Sequence, residues 1–212
     1  MIKALERSMR RLDTSYIDLY QIHWPSPISP LKRALRALER KLEEGKIRAI
    51  GVSNFSLEQL KEARGCLAKQ DIASNQVEYN LLRRDIERDL LPYCQKEGIT
   101  VIAYSPLAQG LLTGKYGPSR MPRGLQRRFM IWAGYRRINW SVVDELKKVA
   151  EVKNAAPAQV ALSWVIRHKG VVAIPGAKDV RHVRENVAAL DIALKEEELA
   201  RLDAKPGLEA GL

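Results

Sequence analysis

The stretch YIDLYQIHWPSPISPLKRALRALERKLEEGKIRAIGVSN, residues 16–54, shows how the chain is organised. It holds an apolar run at 16–22, a segment at 31–44 whose leucines recur at helical spacing, and a second apolar run at 47–52. Neither run alternates strictly between polar and apolar residues, which is typical of strands covered on both faces. The stretch therefore predicts a strand, a crossover helix and a second, parallel strand.

The same alternation continues to the end of the chain. Further strands are predicted at 71–77, 99–103 and 171–174. Helices are predicted from an N-cap at Ser56 to about Arg64, over about 85–96 with a cap at Gly98, at about 140–153, from Pro157 to 168, and at about 195–204. The N-terminal residues show an amphipathic helix pattern.

Such an alternation predicts a parallel sheet that is either doubly wound or closed into a barrel. A Rossmann domain needs GxGxxG after its first strand, and no such string occurs. The nearest string to a phosphate-binding P-loop, GLLTGKY at 110–116, has one residue too few between its glycines and Tyr after the Lys. We therefore expect an α/β barrel that forms one domain over residues 1–212.

Composition sets broad limits on the class of protein. The chain has 212 residues, 46% of them hydrophobic, which is enough for a core, and no apolar run reaches membrane-spanning length. The N-terminus lacks a signal-peptide pattern, so a cytoplasmic location is expected. Cys66 and Cys94 are far apart and predicted to be free thiols, and no metal site is expected.

The formal net charge of +11 favours anionic partners in general. Most Lys and Arg residues are spread over the predicted helices, as on a solvated surface, with one denser stretch at 120–137. Charge alone does not choose between nucleic acid, an acidic membrane and a phosphorylated cofactor.

Polar residues stand at the ends of the predicted strands. In a parallel barrel the site is built from the carboxyl ends of several strands, and here those ends offer His, Ser, Asn, Gln and Tyr side chains or a Gly-rich turn. Ser, Asn and Gln can pair with both ends of a carboxamide, Tyr offers a face for stacking, and Gly-rich turns expose N–H groups to phosphates. A nicotinamide with a phosphorylated tail fits these groups, while the alternative is ordinary loop polarity.

Several strings together resemble the aldo-keto reductase family, in order and at family spacing. They are YIDLYQIHWP, IRAIGVSNF, NQVEYN, VIAYSPLAQGLLTGKY, PAQVALSWVI and VVAIPGAK followed by VRENV. The resemblance covers essentially the whole chain. It implies a (β/α)8 TIM-type barrel that binds NADP(H) without a Rossmann domain and acts as an oxidoreductase on small carbonyl substrates, aldehydes and ketones.

Carried over residue by residue, the resemblance implies a catalytic role for His23, which orients the substrate carbonyl. The residues it places at the cofactor are Ser53, Asn54 and Gln76 at the carboxamide, Tyr104 on the nicotinamide ring, Ser105, Leu107, Gly110 and Lys115 at the pyrophosphate, and Gly176, Lys178, His182, Glu185 and Asn186 at the adenosine end. Relatives carry Arg or Gln at position 182, where this chain has His.

The family's general acid is a Tyr assisted by Lys and Asp, all upstream of the histidine motif, and these three have no counterparts here. Tyr16 and Tyr20 match strand residues and do not replace the acid. The resemblance thus predicts a partial barrel that lacks about the first three strands, with open edges at 16–22 and 171–174 that favour self-association. Turnover by this chain alone is not expected.

Two alternatives remain at the level of sequence. One is a non-catalytic NADP(H)-binding module that senses redox state. The other is a nucleic-acid binder, which needs basic residues interleaved with aromatics. Only the stretch at 120–140 comes close, with Arg123, Arg127, Arg128, Phe129, Trp132, Arg136 and Arg137. The resemblance places that stretch near the cofactor, so neither a nucleic-acid nor a membrane partner is expected.

Overall fold

The computed structural model describes residues 1–26, 30–120, 124 and 138–205. Most of the arginine-rich stretch, including Trp132, lies outside the described residues. The strands are β1 Ile17–Ile22, β2 Ile47–Ser53, β3 Ile72–Glu78, β4 Thr100–Tyr104 and β5 Val171–Ala173. The α-helices are α1 Ile2–Leu12, α2 Leu31–Glu43, α3 Leu57–Cys66, α4 Leu90–Glu97, α5 Trp140–Val152, α6 Pro157–Ile166, α7 Val180–Val187 and α8 Glu196–Asp203. Short 3-10 helices cover Asp85–Glu87, Ala108–Thr113 and Ala188–Asp191.

The strands form one sheet in the order β1-β2-β3-β4-β5. The β1–β2 and β2–β3 pairs are parallel, with Gln21 opposite Gly51 and Ser53 opposite Gln76. Each strand therefore lies beside the next one in the chain, and the order never reverses. A doubly wound sheet reverses its order at a switch point, whereas a barrel does not. This topology confirms the prediction of a partial parallel barrel.

The chain divides into two compact units. Unit 1 comprises Met1–Val77 and Ile86–Ile102, and unit 2 comprises Glu78–Asp85 and the described residues from Ala103 onward. A single domain over residues 1–212 stays a prediction.

In unit 1, helix α2 packs against β2 and against α3. The apolar residues of these three elements that are fully or almost fully buried include Leu35, Leu38, Ile47, Ile50, Val52, Leu60 and Ala63. They follow the helical and strand spacings seen in the sequence, because each element buries the face that carries its apolar residues.

The helix ends of unit 1 follow local capping chemistry. Ser56 Oγ accepts a hydrogen bond from the Gln59 N–H at 3.3 Å, and Gln59 Oε1 accepts from the Ser56 N–H at 2.9 Å, which confirms the N-cap. Gly98 adopts φ +70° after α4, the left-handed conformation of a C-cap. The predicted start of that helix at 85 was too early, because Asp89 adopts φ −146° and separates a 3-10 turn from α4.

Unit 2 is organised around helix α6. Trp164 is fully buried, with its ring 5.4 Å from that of Tyr79. Its Nε1 donates to Asp203 Oδ1 at 2.8 Å, and the same carboxylate pairs with Arg84 and Arg167, each at 3.3 Å. Asp203 ends α8, so this cluster fixes the C-terminal helix, which lies within the predicted range.

Helix α7 was not predicted. It begins after Asp179, whose carboxylate accepts a hydrogen bond from the His182 N–H at 2.9 Å. Its valines, Val180, Val183 and Val187, recur at helical spacing, a signal that could have found the helix, although all three are exposed.

The described helices include none that is both long and apolar enough to cross a membrane. Within the same residues, no group of three or more His, Cys, Asp or Glu side chains is placed to hold a metal ion. Cys66 and Cys94 are buried free thiols, as predicted, and burial raises the pKa of the Cys94 thiol to about 11.

Candidate functional site

In unit 1, the ends of β2 and β3 are joined through the main chain of Gln76. The carbonyl oxygen of Gln76 accepts hydrogen bonds from Ser53 Oγ at 3.0 Å and from the Asn54 N–H at 2.8 Å. Asn54 has φ +61°, a left-handed conformation that Asn tolerates better than most residues. The three residues predicted at a carboxamide therefore lie together, and their positions are set by backbone hydrogen bonds.

A row of polar side chains continues from Gln76 along the same face of the sheet. Gln21 Nε2 donates to Gln76 Oε1 at 3.2 Å, and Ser74 Oγ donates to Gln21 Oε1 at 3.3 Å. Gly51 makes this row possible, because a Cβ added there would lie 2.5 Å from Ser74 Oγ and 2.9 Å from Gln21 Cγ. Gln21 thus fixes the orientation of the Gln76 amide.

Sequence reasoning missed Gln21 and Ser74. The signal that could have found them is strand periodicity, because residues two apart in a strand share a face, and Ser74 and Gln76 are two apart. Placing Gln21 beside them needs the register between β1 and β2, which sets it opposite Gly51.

His23 follows β1 directly and is exposed. Asn54 Nδ2 donates to the His23 carbonyl at 3.3 Å and to Ser53 Oγ at 3.1 Å, so the predicted catalytic residue is tied to the Ser53–Asn54 turn through its main chain. Trp24 is 60% exposed, with its ring 6.2 Å from the imidazole. The imidazole is therefore accessible to a small molecule.

A buried asparagine holds the turn that follows β2. Asn75 is completely buried, and its Nδ2 donates to the carbonyl of Phe55 at 2.9 Å. Its Oδ1 is buried, and none of the described residues donates a hydrogen bond to it. The amide donor of Asn75 thus fixes the chain just after Ser53 and Asn54.

In unit 2, Tyr104 ends β4 and is partly buried. Its carbonyl accepts from the Tyr79 N–H at 3.4 Å, and burial, with a smaller effect of the Glu78 carboxylate, raises the pKa of its phenol above the ordinary value. Its ring is therefore neutral over the physiological pH range, as a stacking residue requires.

The segment after β4 adopts an unusual backbone path. Ser105, Ala108 and Gln109 have φ between +47° and +55°, and Gly110 has φ +95°. A left-handed conformation costs a non-glycine residue roughly 1–2 kcal/mol, and such strain clusters where backbone groups serve a ligand. The segment predicted at a pyrophosphate is thus the most strained part of the described chain.

Packing and hydrogen bonds compensate for this strain. Leu111 and Leu112 are buried, and Thr113 Oγ1 donates to the Gly110 carbonyl at 2.7 Å. Lys115, predicted as a phosphate ligand, is exposed, with its Nζ 5.0 Å from the centroid of the Tyr116 ring.

Asn80 connects the chain after β3 to this segment. It is completely buried, its Nδ2 donates to the Ser105 carbonyl at 3.0 Å, and its Oδ1 accepts from the Leu82 N–H at 2.9 Å. No functional role for Asn80 was predicted, although it ends the NQVEYN string. The hydrogen bond from Asn80 to Ser105 depends on the tertiary structure, because the two residues are 25 apart in sequence.

The residues predicted at the adenosine end lie on the turn after β5 and on α7. Gly176 and Lys178 are exposed, and His182 Nδ1 lies 3.4 Å from the carboxylate of Asp179. The pKa of Asp179 is lowered, first by the hydrogen bond from the His182 N–H. Gln159 Nε2 of α6 donates to the Glu185 carbonyl at 3.2 Å, and Asn186 follows, partly exposed.

Each unit therefore assembles part of the predicted set. Unit 1 brings together His23 with Ser53, Asn54 and Gln76. Unit 2 brings together two groups, one after β4 and one after β5, and these strands are joined by the hydrogen bond from the Ile174 N–H to the Ala103 carbonyl at 3.1 Å.

Comparison with known proteins shows the family of this chain. The model of the aldo/keto reductase family matches residues 1–206. The chain is 44% identical over 197 residues to the uncharacterized oxidoreductase Rv2298 of Mycobacterium tuberculosis (92% of this chain, 60% of that protein). It is 40% identical over 202 residues to the methylglyoxal reductase YeaE of Escherichia coli (95% of this chain, 63% of that protein).

A solved aldo-keto reductase from Klebsiella pneumoniae, in complex with NADPH, superposes with a TM-score of 0.77 at 41% identity, over 96% of this chain and 63% of that one. The chain thus spans 60–63% of the length of these three proteins. The family match covers nearly every residue, and the strand order agrees with it. The chain belongs to the aldo/keto reductase family.

Proposed function

We propose that this chain binds NADP(H) and provides the cofactor-binding part of an oxidoreductase that reduces aldehydes and ketones. The observation that supports this most is the hydrogen-bonded group of Ser53, Asn54 and Gln76 in unit 1. Hydroxyl and amide groups offer both donors and acceptors, which a nicotinamide carboxamide requires. Because backbone bonds hold the group in advance, little ordering is needed on binding.

Two further observations support the proposal. The neutral ring of Tyr104 ends β4, as stacking on a nicotinamide requires, and the strained segment from Ser105 to Gly110 follows it directly. The Klebsiella pneumoniae relative was solved with NADPH, and the Escherichia coli relative is a methylglyoxal reductase. A small carbonyl compound is therefore the proposed substrate class.

The proposed role of His23 follows from its position. NADPH supplies a hydride when it is bound. An exposed imidazole beside the Ser53–Asn54 turn is placed to donate a hydrogen bond to a carbonyl oxygen and so to orient it. His23 then lowers the barrier by holding the carbonyl in one direction and by stabilising negative charge on its oxygen.

We also propose that this chain binds the cofactor without measurable turnover. Tyr16 and Tyr20 match strand residues of the family and Tyr104 is proposed to stack on the nicotinamide, so the resemblance assigns none of these three phenols as the general acid. A general acid contributes about 10²–10⁴-fold to rate, so its loss would make reduction hard to detect. Binding without turnover is also what a redox-sensing module would show.

The first experiment is a fluorescence titration of the purified chain with NADPH and, separately, with NADH. Trp24 is exposed beside His23 and serves as a reporter. Gln76→Ala should weaken NADPH binding by about tenfold, because the loss of one hydrogen bond between uncharged groups lowers affinity by about that factor. The matched control is Ser163→Ala, which also removes one side-chain hydrogen bond, to the Ile192 carbonyl in unit 2, at a residue that is not among the predicted cofactor residues.

Saturable NADPH binding that Gln76→Ala weakens and Ser163→Ala does not would support the proposal. A folded chain that binds neither dinucleotide would refute it. If NADPH binds, oxidation of NADPH with methylglyoxal, followed at its absorbance band, decides between silent binding and reduction by the chain itself.

Self-association is a separate proposal. β1 and β5 stand at the two ends of the strand order. Val172 in β5 and Ile174 directly after it are 50% and 45% exposed. Unpaired strand edges with apolar neighbours favour pairing with another copy of the chain. Light scattering after gel filtration should show a concentration-dependent dimer, and a monomer at all concentrations would contradict this.

A further inference from the structure

We propose that Asn80 is a positioning residue for the cofactor, because its buried amide holds the strained segment after β4 in its binding conformation. This inference rests on the proposed binding of NADP(H). Asn80 does not itself contact the cofactor; it acts through the carbonyl of Ser105.

The geometry uses both ends of the side chain. Nδ2 donates to the Ser105 carbonyl at 3.0 Å, while Oδ1 accepts from the Leu82 N–H at 2.9 Å. The turn around Asn80 is closed by reciprocal backbone bonds with Arg83, at 3.1 and 2.9 Å. The amide is therefore anchored on one side to a rigid turn and reaches out to Ser105 on the other.

Ser105 needs such support because of its backbone conformation. It has φ +50°, and it is the first of the left-handed residues after Tyr104. Without an external hydrogen bond, a serine relaxes toward negative φ, since the left-handed region costs it roughly 1–2 kcal/mol. Relaxation at Ser105 would redirect the chain between Tyr104 and Gly110, which includes residues that the family resemblance places at the pyrophosphate.

The complete burial of Asn80 explains why this position requires the amide of an asparagine. A buried amide is costly unless its groups are paired, and here both ends are paired with backbone groups. An aspartate of the same shape keeps the acceptor for Leu82 but loses the donor to Ser105. Asn80→Asp therefore removes one bond, and Asn80→Ala removes both.

The experiment compares binding of two probes by the wild-type chain and the variants. NADPH carries the nicotinamide and the pyrophosphate, whereas adenosine 2′-monophosphate lacks both. Asn80→Asp and Asn80→Ala should weaken NADPH binding by about tenfold. Both should leave affinity for adenosine 2′-monophosphate within about twofold, because the residues proposed at the adenosine end lie on the turn after β5 and on α7.

The control variant is Ser163→Ala, which also loses a hydrogen bond from a buried side chain to a backbone carbonyl of unit 2. Thermal unfolding of all four proteins shows whether the variants are folded. A selective loss of NADPH affinity in both folded Asn80 variants, absent from Ser163→Ala, supports the positioning role. Equal weakening of both probes, or none in either folded variant, would overturn it.

The outcome separates this inference from the proposed function. If the wild-type chain binds no NADPH, the proposed function fails. If the wild type binds NADPH and the Asn80 variants bind it equally well, only the role of Asn80 fails. Should both Asn80 variants be unfolded, Asn80→Ser provides the second test. A serine hydroxyl can still accept from the Leu82 N–H but is too short to reach the Ser105 carbonyl, so NADPH affinity should fall by about tenfold. Wild-type affinity in the folded Asn80→Ser variant would overturn the inference.

Discussion

The two candidate cofactor regions are held in their conformations in different ways. One comprises the ends of β2 and β3, and the other is the segment after β4. Around β2 and β3, in unit 1, the predicted cofactor groups are side chains of regular strand ends, fixed by bonds to the Gln76 carbonyl. After β4, in unit 2, four residues between positions 105 and 110 have positive φ, so the backbone itself follows an unusual path. The first arrangement presents side-chain amides and a hydroxyl, and the second presents main-chain groups.

Both regions are held by a buried asparagine from the β3 end. Asn75 donates to Phe55 after β2, and Asn80 donates to Ser105 after β4. The two amides differ in how much backbone strain each of them counteracts. Asn75 supports a turn in which only Asn54 is left-handed, whereas Asn80 supports a segment that starts a series of left-handed residues. Little free energy is therefore needed to hold the first region in its conformation, whereas the second region depends on a hydrogen bond from outside the segment.

The largest expected effect comes from breaking the first region. Gly51→Ala places a Cβ 2.5 Å from Ser74 Oγ, so the row of Ser74, Gln21 and Gln76 must shift. Overpacking of this kind should lower the free energy of unfolding by roughly 2 kcal/mol, as measured by urea denaturation. NADPH affinity should fall with it, because Gln76 loses its orientation.

Gly65→Ala is the matched control for that change. Gly65 lies in α3, and an added Cβ there meets nothing within 4 Å. This substitution should raise the free energy of unfolding by about 0.5–1 kcal/mol, because alanine favours a helix more than glycine does. If Gly51→Ala were as well tolerated as Gly65→Ala, the close packing around Gly51 would not matter.

A somewhat smaller effect is expected in the second region. Gly110 has φ +95°, so Gly110→Ala forces a side chain into a conformation that costs roughly 1–2 kcal/mol. Gly117→Ala, at a glycine whose φ is not in the left-handed range and whose surroundings are open, should change stability by less than about 0.5 kcal/mol. Equal unfolding midpoints for the two variants would show that the strain is not maintained in solution.

The smallest effect concerns another side chain that holds a turn in unit 1. The buried Glu39 accepts hydrogen bonds from the Lys69 and Ala68 N–H groups, at 2.9 and 2.8 Å, and pairs with Arg36 at 2.9 Å. The bond from Lys69 is the main cause that lowers its pKa to about 2, with those from Ala68 and Arg36 adding to it against the opposing effect of burial. The carboxylate is therefore more stable in the folded state than in the unfolded chain.

A lowered pKa gives stability that is present above the unfolded pKa of about 4.5 and is lost as the pH falls toward 2. Glu39→Gln should lower stability by roughly 1 kcal/mol at pH 7, because it replaces charge-assisted hydrogen bonds with neutral ones. Thermal unfolding from pH 7 to pH 2.5 should show the two proteins converging at acid pH. A constant difference across that range would contradict the assigned pKa.

Much of the fold could be predicted because its signals are local. The apolar runs around Ile50 and Val101 and the leucines of α2 have strand and helix spacing, and the caps at Ser56 and Gly98 depend on neighbours within a few residues. Helix α7 was missed although its valines recur at helical spacing, and none of its residues is buried. The start of α4 was misplaced because its boundary depends on the backbone angle of Asp89.

The candidate residues divide in the same way. His23, Ser53, Asn54, Gln76 and Tyr104 could be named from the chain because each stands at the end of an apolar run, and parallel strands present those ends on one edge. Gln21 and Asn80 could not, because their partners are distant in sequence and meet them only through strand register or a turn. Strand spacing places Ser74 on the face of Gln76, but its bond to Gln21 also depends on register. Hydrogen bonds between side chains and distant carbonyls have no periodicity, so tertiary structure alone decided which polar residues support the site.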